Sequence, residues 1–284
     1  MAVFYNRATL LFGGRAVNSN VTSGEVVDAL GITKTAISSG YGPDDTVTYA
    51  VAITNSGLGE LVDLTLTDDL GSFSIGATTV VPLEYVDGTM RLYINGALVA
   101  TPTVSAGPPL TVSGLSIPAG GNAILIYETR VGGYAPLAAG SVITNNATLT
   151  GGRLCTPVSD DATIPVREEP ILSITKSLEP ARVACDGSIT YTFIIQNTGN
   201  TAVVATDDMT VTDTFNPILT DITVTLNGVT LVEGVGYTYD EATGAFATLP
   251  GQITLPAATY TQDPETGFIT ATPGVSILTV SGLI

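Results

Sequence analysis

Only two lysines occur in the 284 residues, Lys34 and Lys176, and both stand in the same local sequence, in "GITKT" and "SITKS". Each stretch reads as a strand. Strand side chains alternate between faces, so each lysine points the same way as the Ile two residues before it. If that face is the core, an ammonium is being buried, which is costly unless it is paired or neutralised. Carboxylates follow at matching places, Asp68 in "LTLTDDL" and Asp213 in "MTVTDTF", and "ITNNATLTGGR" supplies Asn145. These three side-chain types can react together. Burial favours the neutral amine, which is nucleophilic toward an amide carbon. The same burial favours a neutral carboxyl able to polarise the carbonyl and shuttle the proton. The product is a Lys–Asn amide crosslink, with ammonia lost. One candidate set is Lys34, Asp68 and Asn145. The other is Lys176 and Asp213, with Asn6 of "FYNRATLLFGGRA" as the counterpart of Asn145. A plain Lys–Asp ion pair at a sheet edge, with Asn in a turn, uses the same residues and stays open. Asn146 rivals Asn145, because a slip of one residue exchanges the faces. Asn55 and Asn197, each followed by x-Gly, read as turn residues.

The elements that must position these groups are strands. Hydrophobic residues make up 44% of the chain and Gly and Pro are frequent. Thr, Val and Ile dominate and helix formers are scarce, an all-β composition. No stretch keeps a helical period. "GITKTAISSGYGPDDTVTYAVAITNSG" matches "SITKSLEPARVACDGSITYTFIIQNTG", so that Lys34, Tyr49 and Asn55 stand against Lys176, Tyr191 and Asn197. Asp68 aligns with Asp213 after a short insertion. "LTVSGL" recurs identically at Leu110 and Leu278 and reads as the same strand in both repeats. "TVTYAVAIT" puts Val47, Tyr49, Val51 and Ile53 on one face; "SITYTFIIQ" does so with Ile189, Tyr191, Phe193 and Ile195. One apolar face per strand with short turns predicts β-sandwiches. "YTYDEATGAF" and "YTQDPETGFI" read as hairpins.

The Lys, Thr-Tyr, Asn-x-Gly and Thr-Asp elements of both repeats, and the terminal "TNNATL" of the first, resemble the bacterial and archaeal surface repeat called domain of unknown function 11. "PDD" in the first repeat departs from the family's usual Gly-Asp. The resemblance implies an Ig-like fold and a place in surface proteins. The expected layout is an N-terminal strand segment over 1–28, an Ig-like domain over 29–168, and a second over 169–284 that lacks its closing strand. "NRATLLFGGRA" repeats the closing strand of the first domain, which predicts that the segment fills the open edge of domain two in a neighbouring subunit. Folding of residues 1–28 back onto their own chain is the alternative. A strand like "NAILIYETRV" has no copy at the chain start, though "QITLPAATYTQ" faintly echoes "LSIPAGGNAILIYE".

Charge and composition exclude several functions. The net charge is −17 with nine basic residues, which excludes a nucleic-acid surface. There is no His, so Ser-His-Asp and Cys-His nucleophiles are absent. Two cysteines, Cys155 and Cys185, cannot make a zinc site and either pair or stay free. The pairs Asp44–Asp45, Asp68–Asp69, Asp160–Asp161 and Asp207–Asp208 offer oxygens to Ca²⁺, but turn roles are the simpler reading. No metal, cofactor or enzyme activity is expected. No apolar run is long enough for a membrane span, and "MAVFYNRATLLFGG" does not read as a secretory leader. The expectation is a structural subunit that polymerises with itself head to tail, on a cell or spore surface, released by lysis of the producing cell. The alternatives are an adhesin or binding module, and a fragment of a longer surface-layer protein.

Overall fold

The computed structural model describes residues 2–26, 29–152, 154, 156–184 and 187–284. Cys155 and Cys185, whose pairing the sequence leaves open, lie outside the described residues.

The N-terminal segment is a hairpin, not one strand. β1 (Ala2–Asn6) pairs with β4 (Thr22–Val26), and β2 (Thr9–Phe12) pairs with β3 (Arg15–Asn18). Gly13 and Gly14 make the turn at φ of 56° and 80°. Two consecutive left-handed residues give the tight turn whose twist suits a hairpin, and Gly takes them without strain. Phe4, Tyr5, Leu10, Leu11 and Phe12 are all exposed. The segment therefore folds on itself and leaves its apolar side chains in water.

Domain one runs from β5 (Leu30–Ala36), β6 (Thr46–Asn55) and β7 (Leu61–Asp68) through three short strands, β8 (Phe73–Ile75), β9 (Thr78–Val80) and β10 (Leu83–Tyr85). Next come β11 (Arg91–Ile94), β12 (Ala97–Leu98), β13 (Thr103–Ser105) and β14 (Leu110–Ile117). β15 (Asn122–Val131), β16 (Val142–Gly151) and β17 (Val158–Pro165) complete it. One sheet is ordered β12-β11-β15-β6-β5, with β10 also on β15, and the other β13-β14-β7-β16-β17. Alternation buries Val47, Tyr49, Val51 and Ile53 of β6 against Leu64 and Leu66 of β7 and Ala147 and Leu149 of β16. This is an all-β sandwich with an apolar face on each sheet.

Domain two contains β18 (Leu172–Glu179), β19 (Ser188–Asn197), β20 (Thr212–Thr214), β21 (Thr220–Leu226) and β22 (Val229–Thr230). It continues with β23 (Tyr237–Asp240), β24 (Ala245–Thr248), β25 (Thr259–Gln262), β26 (Ile269–Thr272) and β27 (Gly274–Leu283). The sheet β18-β19-β27-β21-β22 repeats the order β5-β6-β15-β11-β12. Within it Val280 of β27 faces Tyr191, as Tyr127 of β15 faces Tyr49.

This corrects the reading of "LTVSGL". At Leu110 it begins β14 and pairs with β7 in the second sheet, whereas at Leu278 it lies in β27, the counterpart of β15 in the first. The counterpart of "NAILIYETRV" in domain two is therefore β27. The counterpart of β14 is β24 with the residues that follow it. Asp213 faces Phe246 as Asp68 faces Leu110, and Val203 bridges Leu255 as Leu61 faces Ile117. Asn197 Nδ2 donates to the Pro256 carbonyl as Asn55 Nδ2 donates to that of Pro118. The β25–β26 hairpin is an insertion between Pro256 and β27. It reaches domain one, where the Ile269 N–H donates to the Gly133 carbonyl at 3.2 Å. The Phe268 ring stands edge-on to Tyr134 at 6.0 Å.

β16 and β17, like the short β8, β9 and β10, have no counterpart among the described residues of domain two. In domain one β16 lies on the free side of β7, with Ala147 opposite Asp68. Among the described residues the same side of β20 carries no strand, and β20 ends its sheet.

Candidate functional site

In domain one Lys34 enters from β5 of one sheet, and Asp68 and Asn145 enter from neighbouring strands β7 and β16 of the other. Ala147, two residues beyond Asn145 on the same face of β16, sits opposite Asp68. All three residues are buried, Lys34 at 4%, Asp68 at 1% and Asn145 at 0% exposure. Lys34 Nζ donates to Asp68 Oδ2 at 2.7 Å. The Tyr127 hydroxyl donates to the same oxygen. Asp68 Oδ1 accepts the Leu70 N–H at 2.9 Å, which fixes the carboxylate. Lys34 Nζ also lies 5.0 Å from the centre of the Tyr49 ring. Burial pushes the Lys34 amine below its ordinary value of 10.5, against the opposing pull of Asp68, Asp69 and Asp161. Burial likewise raises the Tyr127 and Tyr49 hydroxyls, with Asp68 adding to the rise in both.

Asn145 is held by the loop after β7. Its Oδ1 accepts the Gly71 N–H at 3.1 Å. Asp69 clamps the neighbouring residue: its Oδ1 accepts the Asn146 N–H at 2.9 Å, and its own N–H donates to the Asn146 carbonyl at 3.0 Å. This register turns Asn145 inward and Asn146 outward, where Asn146 Oδ1 accepts the Thr148 hydroxyl at 3.1 Å. Neither Asn145 Nδ2 nor the Tyr49 hydroxyl makes a hydrogen bond of ordinary geometry among the described residues, although the two lie close enough for Asn145 to pull the Tyr49 hydroxyl down against the larger effect of its burial. A buried, unsatisfied amide nitrogen next to an amine–carboxylate pair calls for an explanation.

In domain two Lys176 of β18 donates to Asp213 Oδ2 of β20. The pair is open: the Lys176 side chain is 39% exposed and that of Asp213 19%. Aromatic faces flank the ammonium, Tyr191 at 4.4 Å and Phe193 and Phe215 at 5.3 Å. Beside them runs an apolar groove of about 280 Å³ lined by Leu172, Ile174, Ile195, Met209 and Val211. Asn6 does not meet Lys176 within one chain; it sits exposed in the hairpin, opposite Thr22.

Sequence reasoning missed Tyr127, Tyr49 as a site residue, and the Gly71 N–H. Tyr127 and Tyr49 sit at inward positions and read as core; their paired hydroxyl-bearing rings were the available signal. Asn55 and Asn197 are turn residues, each holding its own loop through backbone carbonyls. The acidic pairs are engaged locally: Asp44 with Arg130, Asp45 with Arg167, Asp160 with the Lys34 N–H, and Asp207 with the Val204 N–H.

No family model matches the chain, and no curated protein matches it either. Among solved structures it is similar to the major pilin subunit BcpA of Bacillus cereus, at 15% identity over 95% of this chain and 73% of that one, TM-score 0.36. It is similar to the pilus backbone RrgB of Streptococcus pneumoniae at 10% identity over 86% of this chain, TM-score 0.34, and spans 55% of that protein's length. The 35 kDa C-terminal fragment of the major pilin GBS80 of Streptococcus agalactiae matches at 11% identity over 87% of this chain and 91% of that one, TM-score 0.37. The likeness is one of chains built from β-domains and goes no further.

Proposed function

We propose that the chain is the structural subunit of a filament, in which the N-terminal hairpin of one copy completes domain two of the next. The observation that carries this reading is the match between a piece with exposed apolar side chains and a site without a strand. In β16, Ile143, Asn145, Ala147 and Leu149 face the core and are buried. Phe4, Asn6, Ala8 and Leu10 stand at the same spacing in the hairpin, followed, after one extra residue, by a Gly-Gly pair like that of Gly151 and Gly152. The site that would receive them is the free side of β20, where unpaired backbone and the apolar groove beside Lys176 invite an added strand. Hairpin and groove are different surfaces of one chain, so the contact is heterologous and propagates. A cell- or spore-surface location accords with such a fibre and with the resemblance to surface repeats.

The two lysine sites then act as covalent locks. In domain one Lys34 Nζ attacks Cγ of Asn145, and the Gly71 N–H steadies the oxygen as charge builds on it. Asp68 takes the proton from the attacking nitrogen and delivers it to Nδ2, which leaves as ammonia. One C–N bond forms and one breaks, with no oxidant or cofactor. Asn145 Nδ2, which makes no hydrogen bond of ordinary geometry among the described residues, is then the leaving group. In domain two the same step joins Lys176 to Asn6 of the neighbour, with Asp213 as the relay, and makes the filament one covalent chain.

Electron microscopy of the purified chain, intact and with residues 1–26 removed, tests the assembly. Filaments from the intact chain and none from the shortened one are expected. Normal filaments from the shortened chain refute hairpin donation.

A further inference from the structure

On the reading that a neighbour's hairpin completes domain two, we infer that its return strand, β3–β4, lies along β18 and shuts Lys176 away from water, so that the amine condenses only after the hairpin is seated.

The two closing strands of domain one have different tasks. β16 carries Asn145. β17 packs along β5: Asp160 Oδ2 accepts the Lys34 backbone N–H at 2.7 Å, Tyr41 bridges Val166, and the Arg167 N–H donates to the Tyr41 carbonyl at 2.7 Å. With that edge covered, the Lys34 side chain is 0% exposed. β18 holds the position of β5 in domain two, yet all eight of its residues are exposed, Lys176 among them.

The hairpin has both strands needed. Asn6 faces Thr22 across it as Asn145 faces Ala162 across β16 and β17. By that register Asn20 stands for Asp160 and Val21 for Asp161. Asn20 keeps a carbonyl acceptor for the Lys176 N–H while removing a charge. The Phe4 ring lies over Gly24, whose missing side chain leaves it room, and so fills the place of Ile164. First and return strands thus present one continuous face. Thr214 stands where Asp69 does, so closure would bury Lys176 beside Asp213 with three fewer carboxylates than surround Lys34, the places of Asp69, Asp160 and Asp161 being taken by uncharged residues. Water reaches the open Lys176 side chain, and the return strand is the part of the donor placed to exclude it.

The test uses the chain lacking residues 1–26, whose two cores contain nothing before Leu30. A synthetic hairpin of residues 2–26 carrying Asn6→Ala is added, so that docking proceeds without the bond. Calorimetry reports docking, and brief treatment with an acetylating ester followed by peptide mapping reports access to each of the two lysines. Docking of the full hairpin is expected to slow Lys176 acetylation at least about tenfold, as closing a protein segment over a side chain does. A first-strand peptide, residues 2–12, is expected to leave Lys176 labelling near its undocked rate. Docking of the full hairpin with unchanged labelling overturns the seal and leaves hairpin donation standing. Equal protection by the short peptide overturns the part given to the return strand. If the short peptide does not dock, the full hairpin alone decides. Absence of docking by the full hairpin removes both the seal and the donation.

Discussion

Asn145→Ala isolates the lock in domain one. It removes the amide that Lys34 would join while leaving the Lys34–Asp68 pair intact. A bond between residues 34 and 145 closes a loop of about 110 residues, and a crosslink of that span removes about 4.7 kcal/mol of unfolded-chain entropy by the loop-closure estimate. The substitution also strips the Gly71 N–H of its acceptor, a cost of about 1–3 kcal/mol for a buried donor. Loss of the lock therefore lowers the stability of domain one by roughly 6–8 kcal/mol, against about 1–3 kcal/mol if Asn145 serves only as a hydrogen-bond acceptor. At about 2.1 cal/mol/K per residue over a domain of this size, the larger figure lowers the melting temperature by roughly 20 °C or more and the smaller by roughly 3–10 °C. Intact mass decides the chemistry independently. The wild-type chain should lie about 17 Da below the mass of its sequence for each bond closed, since condensation expels ammonia. Asn145→Ala should restore the domain-one share after allowing for the substitution. A wild-type domain one at its full sequence mass, with a melting shift of only a few degrees in the variant, refutes the crosslink and leaves the buried ion pair.

Wild-type filaments boiled in detergent with reductant should run as a ladder, whereas Asn6→Ala filaments should form and then collapse to monomer; a wild-type sample that runs wholly as monomer removes the intersubunit bond. Tyr127→Phe deletes one hydroxyl that fixes Asp68, a charge-assisted hydrogen bond of about 1.5–3 kcal/mol; time-resolved mass spectrometry on freshly refolded protein should show slower ammonia loss with the fold retained, and an unchanged rate excludes Tyr127 from positioning the acid. In Asn145→Ala the Lys34 amine stays free, with its folded value depressed below 10.5. The unfolded chain then binds that proton more tightly, so stability should rise with pH from the depressed value toward 10.5. The Tyr41, Tyr49 and Tyr127 hydroxyls, raised above 10.0, act in the opposite sense above that pH. Urea midpoints between neutral pH and about pH 10 should climb, and Lys34→Met in the same background should flatten the slope; a flat profile before that second change rules out a buried free amine.

Local pattern decided much of this molecule. A period of two fixes which face a strand residue occupies, so the inward run of Val47, Tyr49, Val51 and Ile53 was legible from "TVTYAVAIT" alone, as were the turns of the β23–β24 and β25–β26 hairpins. The alignment of Lys34 with Lys176 and of Asp68 with Asp213 was legible for the same reason, since each pair sits at one phase of a repeated strand. What a period of two does not carry is the identity of the neighbouring strand. "LTVSGL" presents the same apolar face at Leu110 and at Leu278, yet β14 lies in one sheet and β27 in the other, because register and loop length choose the partner. The convergence of Tyr127, Tyr49 and the Gly71 N–H on Asp68 and Asn145 likewise comes from strands distant in sequence, brought together by two stacked sheets. The contrast between a sealed Lys34 and an open Lys176 is wholly tertiary. The same Ile-Thr-Lys motif holds both lysines, and only the presence of β17 along β5, and the absence of a strand on the outer edge of β18 among the described residues, sets one amine in the core and leaves the other in water.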